Sequence, residues 1–251
     1  MVETQKVGVA YSRAPITEAV IELRFADPVK DAAIERAVRR LSGPQYPHSD
    51  KEMSRELTLD FEKAAVAKSS VQWSGYNLSS ADRTDHTLLR TSAFLGSRLA
   101  PYQGWEQFCS RVQGDWEKVR RDLGTPKIAR VGVRFINRID VPAQPNSQID
   151  PSDYLRVGIA IPRLDLGPTS NYLLQVSRRF DDGNGVVTIS SGTATSPVAG
   201  YQSLLLDIDV CREADIPAND AELWSLVRGF REKKNTIFES IVTDASRKLF
   251  Q

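Results

Sequence analysis

Residues 127–142 read KIARVGVRFINRIDVP. Ala129, Val131, Val133, Phe135, Ile139 and Val141 fall on one parity; Arg130, Gly132, Arg134, Arg138 and Asp140 fall on the other, with Ile136 among them. A period of two built from β-branched and aromatic residues is the pattern of a strand with one side buried. Asn137 shares the apolar parity, where it marks either a bulge or a buried, hydrogen-bonded amide. The polar side carries arginines at i, i+4 and i+8, which a straight strand spaces about 13 Å apart.

Working outward, PITEAVIELRF at 15–25 repeats the pattern, with Ala19, Ile21, Leu23 and Phe25 against Glu18, Val20, Glu22 and Arg24. Asp27 then stands as a helix N-cap with Pro28 at the first helical position, and Gly43-Pro44 ends the helix. Residues 55–61 alternate. The next strand holds Val71, Trp73, Tyr76 and Leu78, and its parity flips at Ser74-Gly75, which predicts a β-bulge. Residues 86–99 read as one long strand. The clearest helix covers 104–123, with Trp105, Phe108, Cys109, Val112, Trp116, Val119 and Leu123 on one stripe and Gly124 just beyond it.

After the reference strand come a loop at 142–148, a short helix from Asp150-Pro151 to about Val157, and a loop at 159–168. Strands at 172–180 and 186–191 flank a hairpin turn, Asp181-Asp182-Gly183-Asn184-Gly185. A further strand covers 204–211. A last long helix opens at Asn219 with Glu222 three later, a capping-box arrangement, and breaks at Thr243-Asp244. Gly229 inside it predicts a close packing contact. The two halves thus share one order, and the expected fold is α+β. It comprises two βαβββα halves, 1–125 and 126–251, that form one largely antiparallel sheet with long amphipathic helices on one face.

The 251-residue chain has 33 Lys plus Arg against 32 Asp plus Glu, a net charge of +1. That balance lacks the basic excess of a non-specific nucleic-acid binder. Cys109 sits on the apolar stripe of the 104–123 helix and Cys211 ends a strand, and both read as buried thiols. No basic-then-apolar leader and no apolar run of roughly 20 residues is present, so the expected location is cytoplasmic, without a membrane partner. Neither histidine has neighbours at metal-ligand spacing, and no phosphate-cradling glycine loop or nucleophile elbow appears. Glu22-Leu23-Arg24 matches the end of the first-strand motif of triphosphate-tunnel enzymes, but Val20 stands where a metal-binding glutamate is needed. The expectation is therefore no catalytic residue, no metal and no cofactor, and a protein that is more a binder than an enzyme.

The residues that could bind lie on the polar parities: Glu18, Glu22 and Arg24 on the first strand, Arg130, Arg134 and Arg138 on the reference strand. They are either cross-strand ion pairs or a face for an anionic ligand, a nucleic-acid backbone or an acidic partner segment. Gly132 between the arginines would permit a close approach.

PITEAVIELRF and ARVGVRFINRI resemble motifs of a sporadically distributed, uncharacterised prokaryotic protein family of this length. YQGW at 102–105 and IFESIVTDASRKLF at 237–250 fit it too. These motifs carry no known chemistry. The scattered distribution of that family implies horizontal transfer, and so a mobile-element, toxin–antitoxin or antiphage-defence context. The function expected on this reading is that of a non-enzymatic accessory protein. It would act through a protein partner or the arginine-lined face, with nucleic acid and a second copy of the chain as further candidate partners. The alternative is a small-anion or nucleotide-binding domain with an unrecognised site.

Overall fold

The computed structural model describes residues 11–60, 65–143, 149–158, 171–181 and 183–251. The loop expected at 159–168, most of the loop at 142–148, Asp182 and the first ten residues lie outside them. The reference stretch is β6 (Ile128–Pro142), and its parity holds: Val131, Val133, Phe135, Ile139 and Val141 are each exposed by 1% or less. Asn137 is a buried amide and not a bulge. Its Nδ2 donates to the Leu206 carbonyl at 2.9 Å.

The chain forms an α+β fold with one nine-stranded antiparallel sheet. Its strands are β1 (Ile16–Phe25), β2 (His48–Asp60), β3 (Ala65–Ser79), β4 (Asp85–Arg90), β5 (Ala93–Leu99), β6, β7 (Leu173–Arg179), β8 (Val186–Thr195) and β9 (Tyr201–Arg212). The hydrogen-bonded order is β2-β3-β4-β5-β1-β6-β9-β8-β7. Among the described residues four α-helices complete it: α1 (Asp31–Leu41), α2 (Trp105–Val119), α3 (Asp220–Ile241) and α4 (Asp244–Leu249). No helix among the described residues is long and apolar enough to cross a membrane.

The chain divides into two compact units, 22–98 with 103–130, and 1–21 with 99–102 and 131–251. In the first, α1 packs on β3, β4 and α2, and Trp116 of α2 packs its ring 5.3 Å from Phe94 and 6.3 Å from Phe25. The whole predicted stripe of α2 is buried, together with Cys109 as a free thiol. In the second, α3 covers β9 through Leu223, Trp224, Val227 and Phe230, against Leu204, Leu206, Ile208 and Val210.

Four local expectations are corrected. Helix α1 begins at Asp31 with Lys30 as N-cap, not at Asp27. The Ala26 amide donates to Lys127 and the Val29 amide to Thr91, and these tertiary bonds hold 26–30 extended. Residues 86–99 are a hairpin, with Arg90 opposite Ala93, not one strand. The expected helix at 150–157 is a single 3-10 turn, Pro151–Asp153, because Leu155 bridges to Val242 instead. Gly229 packs against nothing: a Cβ there would meet no atom within 4 Å. The Ser74 bulge, by contrast, is present, since Glu52 pairs with Gly75 and Met53 with Trp73. Gly75 sits at φ 154° with the Leu89 carbonyl 2.1 Å from where a Cβ would be.

Gly96 of β5 sets the approach of α2, because its missing Cβ would lie 2.3 Å from a methyl of Val112. A β-branched side chain cannot swing away. Gly96→Ala is expected to cost about 1–3 kcal/mol, read as a lowered urea midpoint, and Val112→Ala in the same chain should recover part of that loss.

Candidate functional site

Each arginine of the β6 row is held by a carboxylate. Arg130 pairs with Glu22 of β1, which also takes Arg24 at 3.1 Å. Arg134 grips Asp207 of β9 with two nitrogens, at 2.6 to 3.0 Å. Arg138 meets Asp140, two residues along its own strand, at 3.2 Å. The Arg134 guanidinium has its pKa raised by the Asp207 hydrogen bonds first, with Asp209 and Glu18 adding their charge. Burial would raise Asp140, but hydrogen bonds from Ser203 and Ser196 and the Arg138 charge hold it below the ordinary carboxylate range. Gly132, expected as an opening, is buried. Each arginine is thus preset in an ion pair, and Arg134 keeps half of its side chain in solvent.

In the second unit Arg138 also lines an open cleft of ≈ 530 Å³ with Arg13, Thr17, Asp140, Tyr201 and Lys248. Arg13 donates to the Gln251 carbonyl at 3.0 Å. This convergence needed the fold: Arg13, Arg138 and Lys248 are far apart in sequence.

Among the described residues two sites of buried charge were missed by the sequence reading, one around Asp115 and Arg98 and one at Lys234. Asp115 is fully buried under α2. It accepts from the Tyr46 hydroxyl, lies 3.0 Å from the Thr87 hydroxyl and 3.6 Å from an Arg111 nitrogen. Arg111 in turn donates to Tyr46 at 2.7 Å and to the Ser97 carbonyl at 2.7 Å, and Asp85 bridges it to Arg98. Burial pushes the Tyr46 phenol up to about 12. Every member has a partner, although the Arg111 Nε makes an ion pair with Asp85 at 3.1 Å and no hydrogen bond, and the network reads as a structural pin joining the α1–β2 loop, α2 and the β4–β5 hairpin. Removing one member of a buried charged set strands the others. Asp115→Asn is therefore expected to lower stability by about 3 kcal/mol or more, against about 1–2 kcal/mol for Tyr46→Phe, both by denaturant titration.

The second is Lys234 of α3, 5% exposed. Its ammonium lies 3.9 Å from the centroid of Phe135 and 5.7 Å from that of Phe238. Burial first, then the charge of Arg231, pulls its pKa from 10.5 down to about 7, while Glu239 opposes them. The unfolded lysine holds its proton to higher pH than the folded one, so stability rises as pH climbs from 7 to about 10.5. Ring contacts return part of the cost. Lys234→Met is expected to be more stable by roughly 2–4 kcal/mol at pH 7, with the gain shrinking toward pH 10, as thermal melts across that range would show.

Among the described residues no cluster of three His, Cys, Asp or Glu side chains could hold a metal ion. His86 spends its ring nitrogens on Asn77 and the Arg83 carbonyl. No family model and no curated protein matches the chain. Among solved structures, the crystal structure of DynU16, described as a protein in the dynemicin biosynthetic locus, aligns with 90% of this chain and 99% of its own at 11% identity. Its TM-score is 0.20, and it carries no argument about fold or role.

Proposed function

We propose that this chain is a non-enzymatic binding module, an accessory protein of a mobile-element or defence locus, that engages a protein partner through the ionic side of β6 and β9. The observation that carries this reading is the state of Arg134: half exposed, yet fixed by three hydrogen bonds to Asp207. A side chain already immobilised loses little entropy on binding. An interface of fixed, mixed charges discriminates between partners more than it adds affinity. A polyanion would need open guanidinium forks, whereas these are taken up by Glu22, Asp207 and Asp140. The resemblance of PITEAVIELRF and ARVGVRFINRI to a sporadically distributed family supplies the context of the proposal.

A second reading is favoured by one feature. Arg13, Arg138 and Lys248 converge on the cleft that also holds Tyr201, which suits a small anionic ligand with an aromatic ring, such as a nucleotide.

Arg134→Glu places a like charge beside Asp207 and Glu18 and discriminates between the two. With the fold intact by circular dichroism, it is expected to weaken capture of partners encoded by neighbouring genes at least tenfold, with no effect on nucleotide binding. If every such partner still binds the variant, the ion pairs serve only the fold.

A further inference from the structure

Strand β7 ends the hydrogen-bonded order, and no strand among the described residues pairs with its outer side. Its ladder with β8 fixes which backbone groups face that side. The Phe180 amide donates to the Gly185 carbonyl, and the Thr193 amide donates to the Tyr172 carbonyl. In an antiparallel pair such bonded positions alternate with unbonded ones. Residues 172, 174, 176, 178 and 180 therefore spend their backbone on β8. Leu173, Gln175, Ser177 and Arg179 turn their N–H and C=O groups outward, a row of four residues ready to pair with a further strand.

The side chains are as bare as the backbone. Leu173 is 84% exposed and Val176 40% exposed, and every β7 residue except Leu174 is open to solvent. Through the register, Leu174, Val176 and Arg178 share the side of Val187, Leu206, Ile208 and Val210, on which α3 lies. Beside them Phe180, Gly229, Lys233 and Ile237 line an open groove of ≈ 500 Å³, and the absence of a Cβ at Gly229 leaves it wider. On the opposite side Gln175 donates to Ser190 at 3.1 Å, and Ser177 bonds Thr188 at 2.9 Å.

Cations outnumber acids on this edge, where Glu232 also lines the groove and Asp181 follows the strand. Arg178 and Arg179 are exposed and no ion pair among the described residues takes them. Lys233, over the Phe180 ring at 3.8 Å, adds a third cation beside them. Main-chain bonds alone would accept any extended peptide; Arg178, Arg179 and Lys233 favour acidic side chains, and Val176 on the α3 side and Leu173 on the other favour apolar ones.

We infer that β7 is a docking edge that accepts an extended acidic segment of a protein partner as a tenth strand. The site lies apart from Arg134, so it stands whether or not the ionic side of β6 binds anything.

The test uses the full chain and a fluorescein-labelled peptide that alternates glutamate with valine, read by anisotropy against a lysine–valine peptide of equal length. The acidic peptide is expected to bind at least tenfold more tightly than the basic one. Ser177→Pro removes an outward amide while leaving the β8 ladder untouched, and it should abolish binding. Arg178→Glu with Arg179→Glu, which leaves the backbone alone, should reverse the preference between the two peptides. Arg134→Glu should bind like the parent. Equal binding of both peptides, or retention by the folded Ser177→Pro variant, overturns the proposal. So does a concentration-dependent dimer, seen by sedimentation and lost in Ser177→Pro, because the edge would then belong to a second copy of the chain.

Discussion

The strand β6 cannot be greasy on one side and ionic on the other without committing its neighbours. Side chains alternate with a period of two, so a register slip of one residue would put Arg134 under a helix and Phe135 in water. The cost of burying an unpaired guanidinium exceeds anything a shifted ladder could return. Register along the β6–β9 ladder is therefore fixed by chemistry on both sides at once. Val133 faces Val210 and Phe135 faces Ile208 on the buried side, while Arg134 stands opposite Asp209 and bonds the diagonal Asp207 on the other. Both contributions specify the same alignment, which is what a sequence needs to select one fold from its competitors.

The ionic side follows from that constraint and also limits what it can bind. A sheet with arginines alone on its open side would attract any polyanion and repel itself. Here β1 supplies Glu18 and Glu22, and β9 supplies Asp207 and Asp209. The resulting surface is nearly neutral but strongly patterned. Such pairs contribute little to stability where they are exposed. Arg134 is half exposed, so its pair with Asp207 is better understood as holding a shape than as holding the fold together.

Strand and helix identity was legible wherever burial followed period. The stripe of α2, the parity of β1, β6 and β9, the Ser74 bulge and the Asn219 cap all followed from spacing and residue type. Errors came where a tertiary hydrogen bond outweighed a local signal. Asp27-Pro28 is a sound helix start, yet bonds from Ala26 to Lys127 and from Val29 to Thr91 delay it to Asp31. The hairpin within 86–99 turns at Thr91-Ser92, which offers no glycine, asparagine or proline to mark it. For the candidate site, the sequence could place Arg130, Arg134 and Arg138 on one parity but could not name their partners, because Asp207 comes from a strand some seventy residues on. Asp115 and Lys234 had a readable signal: each sits at a position of its helix stripe that apolar residues otherwise fill. The first is compensated by Tyr46, Thr87 and Arg111, the second by aromatic faces and the charge of Glu239, and no spacing rule distinguishes these two fates.

The bare β7 edge raises a different question, because exposed edges invite aggregation and natural proteins blunt them. Arginines are one such device, and Arg178 with Arg179 could be read as nothing more. Protection alone, however, would spread charge along the strand or interrupt it with proline or a bulge. Here both arginines stand at one end, the other end presents Leu173 almost fully to solvent, and the β7–β8 register runs without a break from Leu173 to Arg179. A guarded edge with a graded character, apolar at its start and cationic at its finish, repels a second copy of itself less by charge along its length than by register: antiparallel self-pairing about Val176 sets each cationic end against an apolar one. A segment with acid where β7 has arginine and an apolar residue where β7 has leucine meets no such mismatch. The same residues that make the edge a poor partner for itself make it a selective one for a chain of opposite character.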